Sequence, residues 1–177
     1  MRFFSYLFSV AALISFNCSA SNIEYTAIEK GNGVYDFSYT VNNNLNITLD
    51  EITIFFDYTK YTNLIIIEAP MGWDAIVAQP DLAIPADGFV DILAMEHALN
   101  PNEVLSGLIV RAQFLGVGSP VGQHYEFIDQ KTFQSIASGP ALLVPEPSMA
   151  TLTLLGLLWL VGRKTFFSQI KNLRRWY

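Results

Sequence analysis

The sequence predicts an all-β protein: an antiparallel β-sandwich, Ig-like or jelly-roll-like, flanked by an N-terminal signal helix and a C-terminal transmembrane helix. Three observations carry that reading. Apolar residues recur with period two across the middle of the chain, and no helical stripe of about 3.6 residues is sustained there. Clusters of Gly, Pro, Asn and Asp cut the same stretch into short pieces. The apolar excess, 51% of 177 residues with a mean hydropathy of +0.32, is concentrated at the two ends.

The N-terminal end comes first. Arg2 supplies a positive charge, Phe3 to Phe16 is mostly apolar, and Cys18-Ser19-Ala20 sets small residues three and one before a cut. That order is a secretory signal peptide over residues 1–20, with Cys18 and Ala20 defining cleavage and Ser21 as the new N-terminus. An uncleaved membrane helix fits less well, because the run is shorter than a ~20-residue span and is broken by Ser5, Ser9 and Ser15. A lipid attachment at Cys18 wants an aliphatic residue three positions earlier, where Ser15 stands. Removing the signal removes the single cysteine, so no disulfide is expected in the exported domain.

Residues 21–140 form the extracellular domain. Val34 to Val41 alternates, with Tyr35, Phe37, Tyr39 and Val41 on one face and Asp36, Ser38 and Thr40 on the other. Asn42-Asn43-Asn44 is a turn; Ile47, Leu49, Ile52, Ile54 and Phe56 then alternate around a bulge or turn at Asp50-Glu51. Leu64-Ile65-Ile66-Ile67, closed by Pro70, reads as a strand buried on both faces or at a sheet centre. Trp73 to Ala78, Phe89 to Met95, Leu108 to Leu115, Tyr125 to Ile128 and Thr132 to Ile136 complete the series, with one helical turn over Ala94 to Leu99. Parallel strands would need crossover helices, so the pairing is expected to be antiparallel. Phe37, Tyr39, Ile54, Phe56, Ile66 and Val110 should point inward.

At the C-terminal end, a linker over 141–147 carries Pro145-Glu146-Pro147. An uncharged run over 148–162 follows, and then Arg163-Lys164. The prolines hold the approach extended. The run rises only ~22 Å against a hydrocarbon core of ~30 Å, a short transmembrane helix with Arg163 and Lys164 as its stop. The positive-inside rule puts residues 163–177 on the cytoplasmic side as a basic tail and the sandwich outside. Pro-Glu-Pro, apolar helix and basic cluster in this order resemble the PEP-CTERM sorting signal of Gram-negative bacteria. The resemblance covers Val144 onward. It implies that Pro145, Glu146 and Pro147 are read by an exosortase, a membrane protease or transpeptidase, and that this chain is its substrate.

The middle segment, residues 21–144, holds 15 Asp and Glu against Lys30, Lys60, Arg111 and Lys131, a charge of −11. Such a surface repels nucleic acid and anionic membranes alike. His97 and His124 are the available neutral-pH bases, and neither sits in a recognised nucleophile, zinc or phosphate-loop motif. Glu96-His97 reads as a solvated pair. Asp74, Asp81, Asp87 and Asp91 offer oxygen ligands for calcium, but no Asp-x-Asp-x-Asp-Gly loop is present, and a solvated acidic face is the simpler reading. Tyr58, Tyr61 and Trp73 are the possible ligand surface, an aromatic platform for sugar rings, weighed against service as core anchors. Asn46-Ile47-Thr48 matches a glycosylation sequon within an expected strand and is assigned no role.

The sequence thus predicts a non-catalytic surface or extracellular-matrix protein with no cofactor and no metal. It is exported across the inner membrane, held transiently by one span, then processed and left at the cell surface or outside. The expected partners are signal peptidase, the secretory translocon, an exosortase-like enzyme, the membrane and exopolysaccharide. A glycan- or calcium-dependent adhesion module is the alternative, and a secreted hydrolase the third reading.

Overall fold

The computed structural model describes residues 23–144. The expected signal peptide with Cys18 and Ala20, the Pro145-Glu146-Pro147 motif, the helix over 148–162 and the basic tail with Arg163 and Lys164 all lie outside the described residues.

Ten strands form in chain order: β1 (Ile23–Gly31), β2 (Val34–Asn42), β3 (Glu51–Phe56), β4 (Tyr61–Glu68), β5 (Trp73–Ala78), β6 (Gly88–Ala94), β7 (Val104–Phe114), β8 (His124–Asp129), β9 (Gln134–Pro140) and β10 (Leu142–Leu143). They make two five-stranded sheets, ordered β10-β1-β2-β7-β4 and β5-β6-β3-β8-β9. The inner faces share one core. Phe37 of the first sheet meets Phe56 of the second edge-on at 6.0 Å, and Tyr61 closes on both rings, at 5.9 and 5.3 Å. Phe37, Tyr39, Ile54, Phe56 and Val110 are buried as the alternation requires.

Local chemistry sets the connections. Asn32 and Gly33 both have positive φ, 55° and 74°, and turn β1 into β2 with Gly31 opposite Val34. A two-residue turn of that hand matches the strand twist, which is why Asn-Gly occupies it. Gly107, at φ 97°, is the extra residue where the β2–β7 register steps from Tyr39↔Leu108 to Thr40↔Ser106. The buried Asn43 side chain donates to the carbonyls of Ile47 and Leu99, each at 2.8 Å, and accepts from the Leu45 amide at 3.0 Å. It ties the β2–β3 connection to the β6–β7 one.

Several expectations are corrected. Strand β1 was absent from the sequence series, although Asn32-Gly33 marks its hairpin. The Leu64–Ile67 run is neither central nor buried on both faces. It belongs to β4 at a sheet edge, where Leu64 is 2% exposed, Ile65 52% and Ile67 46%, and Ile66 is only half-buried. A continuous apolar run looks the same whether one or two faces are covered, so periodicity alone misplaced it. Ala94 to Leu99 is a bend rather than a helical turn, because Leu99 forms a backbone bridge to Leu49. Strand β9 starts at Gln134, since Asp129 takes the amides of Lys131 and Thr132 into a turn and Phe133 has φ 54°. The pairing is not wholly antiparallel. The chain leaves β9, crosses sheets at the buried Ala141, and runs β10 parallel to β1, Glu24 opposite Leu142. The expected linker over 141–147 therefore begins as sandwich.

Edge strand β4 has a side-chain cover. The amide of Gln79 accepts from the Leu64 N–H at 2.8 Å and donates to the Leu64 carbonyl at 2.7 Å, standing where a neighbouring strand would stand. Burial at this strand predicts a sharp contrast. Leu64→Ala should lower the unfolding free energy by about 2 to 5 kcal/mol through cavity formation. Ile65→Ala should change it by less than about 0.5 kcal/mol. Denaturant titration of the two variants checks the assignment, and equal losses would return the run to a two-sided environment.

Candidate functional site

The aromatic platform proposed from sequence does not assemble. Tyr61 is 1% exposed and Trp73 8%, both in the core, and only Tyr58 keeps part of its surface. Trp73 points inward in step with the alternation of β5, while Tyr61 turns inward just before the β4–β7 register shifts between Thr62 and Ile65, so tyrosine and tryptophan act here as anchors.

Tyr61 has a positional task. Its hydroxyl donates to the Val121 carbonyl at 3.3 Å and accepts from Gln123 Nε2 at 3.2 Å, while Tyr25 donates to the Pro120 carbonyl at 3.3 Å. Two hydroxyls from the first sheet thus peg the loop between β7 and β8 across the end of the sandwich. Its apolar tips Val117 and Val121 stay exposed. Tyr39 Oη and Gln123 Oε1 are buried with no hydrogen-bond partner among the described residues.

The histidines lie apart. His97 is exposed beyond the end of β6, whereas His124 opens β8 at the opposite end of the second sheet. His124 Nε2 lies 3.8 Å from Glu126 Oε1. Asp74, Asp81 and Asp87 are exposed and Asp91 half-buried; no group of acidic, His or Cys residues fit to hold a metal occurs among the described residues.

Chemistry does gather on the solvent-facing side of the second sheet. Strand β3 turns Ile52, Ile54 and Phe56 inward, each 0% exposed, so Glu51, Thr53 and Phe55 lie on the opposite side of the sheet, Thr53 itself buried among its neighbours there. Register then builds rows across the sheet. Phe55 pairs with Phe89 on β6 and with His124 on β8, and the rings follow at 6.3 and 6.1 Å. In the next row Thr53 pairs with Asp91 and Glu126, and its hydroxyl donates to Asp91 at 2.6 Å. Glu51 comes next, taking a hydrogen bond from the Gln130 amide. The result is an aromatic strip beside a row of carboxylates.

Those carboxylates are poorly neutralised. Burial, then the charges of Asp91 and Asp50, push Glu51 above the usual carboxylate range. Burial likewise raises Asp91, against the lowering effect of its hydrogen bonds with Thr53 and Glu51. The first sheet treats a carboxylate differently. Asp36 is held by Arg111 at 2.7 and 2.9 Å and by Lys30 at 3.3 Å, and the Arg111 hydrogen bonds bring its pKa down. Sequence reading missed the outward face because alternation gives the facing of each strand and not which strands are neighbours.

No family model matches this chain, and no curated protein matches it. Among solved structures it is similar to an exo β-N-acetylglucosaminidase from Vibrio harveyi in complex with N-acetylglucosamine, at TM-score 0.35 and 12% identity over 70% of this chain and 18% of that one. It is also similar to the second type II cohesin module of the adaptor ScaA scaffoldin from Acetivibrio cellulolyticus, at TM-score 0.34 and 16% identity over 76% of this chain and 96% of that one. The chain spans less than a fifth of the Vibrio enzyme.

Two predictions come from this geometry. A carboxyl raised by folding favours the folded state below its unfolded pKa and loses that contribution as pH rises through the folded value. Glu51→Gln, which keeps an acceptor for Gln130, should therefore raise the melting temperature at neutral pH and leave it unchanged in acid. An equal shift at both pH values would mean that charge is not the cause. For the tyrosine pegs, Tyr61→Phe should cost about 1 kcal/mol. Tyr39→Phe should be neutral or stabilising, because its hydroxyl is buried without a partner; urea titration separates the two.

Proposed function

We propose that this protein is a non-catalytic surface or matrix protein, an Ig-like or jelly-roll-like sandwich carried between a signal helix and a membrane helix. The observation that carries the proposal is the order of its parts: a charged, apolar and small-residue N-terminus, an acidic sandwich, Pro145-Glu146-Pro147, an apolar run and Arg163-Lys164. The sandwich geometry supports it. Val144 donates its amide to the Tyr25 carbonyl at 2.8 Å, so the motif starts one residue after a bond that belongs to the fold. An enzyme reading the motif at the membrane finds a folded body immediately before it.

The histidines support a role without turnover. General acid–base chemistry needs a positioned partner at hydrogen-bond distance, and His124 Nε2 stands 3.8 Å from Glu126 Oε1. In a host with an exosortase, the wild-type chain should lose its C-terminal helix and leave the membrane. Joint replacement of Pro145, Glu146 and Pro147 by alanine should leave a full-length, membrane-retained form. Intact mass and fractionation read the result, and release of the triple variant at the wild-type rate would reduce the motif to a linker.

A further inference from the structure

None of β3, β5, β6, β8 and β9 contains a lysine or arginine, yet they hold Glu51, Asp74, Asp91, Glu126 and Asp129. The first sheet carries Lys30 and Arg111, both spent on Asp36. The first sheet sets these two cations against Glu24, Glu29, Asp36 and Glu68, so both sheets are acidic, but the second has no lysine or arginine in its strands to offset its carboxylates, and it also bears the Phe89–Phe55–His124 strip. Phe55 and Phe89 are half-buried on the side of the second sheet turned away from the core.

We propose that the solvent-facing side of the second sheet docks a cationic amino-sugar polysaccharide. The apolar C–H faces of its rings would lie on Phe89, Phe55 and His124, and its ammonium groups over Glu51, Asp91 and Glu126. This goes beyond delivery and does not rest on C-terminal processing.

Charge complementarity selects the occupant. A neutral glycan would cover the rings and leave the half-buried carboxylates uncompensated. An anionic glycan or membrane would be repelled outright. A peptide strand gains its affinity from backbone bonds at a sheet edge, and a face whose strands are paired on both sides presents only side chains. An amino-sugar polymer brings both halves, a repeating apolar face and a repeating positive charge. Adjacent strands lie ~4.8 Å apart, so the three rings cross β6, β3 and β8 as a continuous track for an extended chain. Burial and then the charges of Asp91 and Asp50 raise Glu51, and a cation above the row offsets those charges.

The test uses the full chain in mild detergent, titrated calorimetrically with an oligomer of glucosamine bearing free amines and with its fully N-acetylated counterpart. Saturable binding of the free-amine oligomer is expected, weakened by added salt. Phe55→Ala and Glu126→Gln should each lower affinity about tenfold. Phe89→Ser serves as an independent variant should Phe55→Ala misfold, with thermal melts reporting folding. Absence of saturable binding overturns the proposal, as does equal affinity for the N-acetylated oligomer. Folded variants that bind like wild type also overturn it. An oligolysine peptide bound equally tightly, with the same loss in the Phe55 variant, would show a general cation surface and overturn the sugar assignment.

Discussion

The contact between Phe37 and Phe56 is the constraint on which the rest of the molecule depends. Phe37 lies at the middle of β2 with Tyr25, Tyr35, Tyr39, Phe56 and Tyr61 around it, at ring separations of 5.9 to 6.5 Å. Its partner across the core, Phe56, closes β3. Once these two rings are buried against each other, period two leaves no freedom elsewhere on either strand. Asp36 and Ser38 must face out from one sheet, and Thr53 and Phe55 from the other. A slip of one residue would turn Asp36 and Glu51 into the apolar core and both phenylalanines out of it. The outward chemistry is therefore fixed by inward packing.

That dependence also explains what was legible in the sequence. Strands with one covered face were readable, because alternation in Val34–Val41 and in Ile52–Phe56 reports that face directly. β4 was not readable as an edge, since Leu64 to Ile67 carries no polar residue to show which side meets water. β1 was hidden for another reason. Glu29, Lys30 and Gly31 end it in exposed, polar residues, and only the Asn32-Gly33 turn marked the hairpin. The candidate face was half legible. Glu51, Thr53 and Phe55 alternate visibly, but the row joining Phe55 to Phe89 and His124 exists only through pairings between residues 34 and 69 positions apart in the chain.

Charge follows the same division between sheets. On the first sheet an acidic group is enclosed by a bidentate arginine and a lysine, an arrangement in which each partner removes the cost of the other's partial burial. On the second, hydrogen bonds from Thr53 and Gln130 hold carboxylates in place without neutralising them. Hydrogen-bonded but uncompensated acids keep a defined geometry and an unsatisfied charge together. Structural ion pairs and recognition surfaces separate on this property.

The parallel pairing of β10 with β1 has a mechanical consequence. β10 is the outermost strand of its sheet, and β1 is its one strand neighbour there. Tension applied to the chain beyond Val144 enters the sandwich through β10, while tension on the N-terminal side enters through β1. Because the two strands run the same way, pulling the ends apart slides them past each other. Their bonds are loaded together in shear rather than peeled open one at a time. The registered pairs are few, Glu24 with Leu142 and Tyr25 with Leu143, and the Val144 amide on Tyr25 extends them. A pull on the chain beyond Val144 is thus borne first by this short strand, ahead of the β1–β2 hairpin and the core built around Phe37.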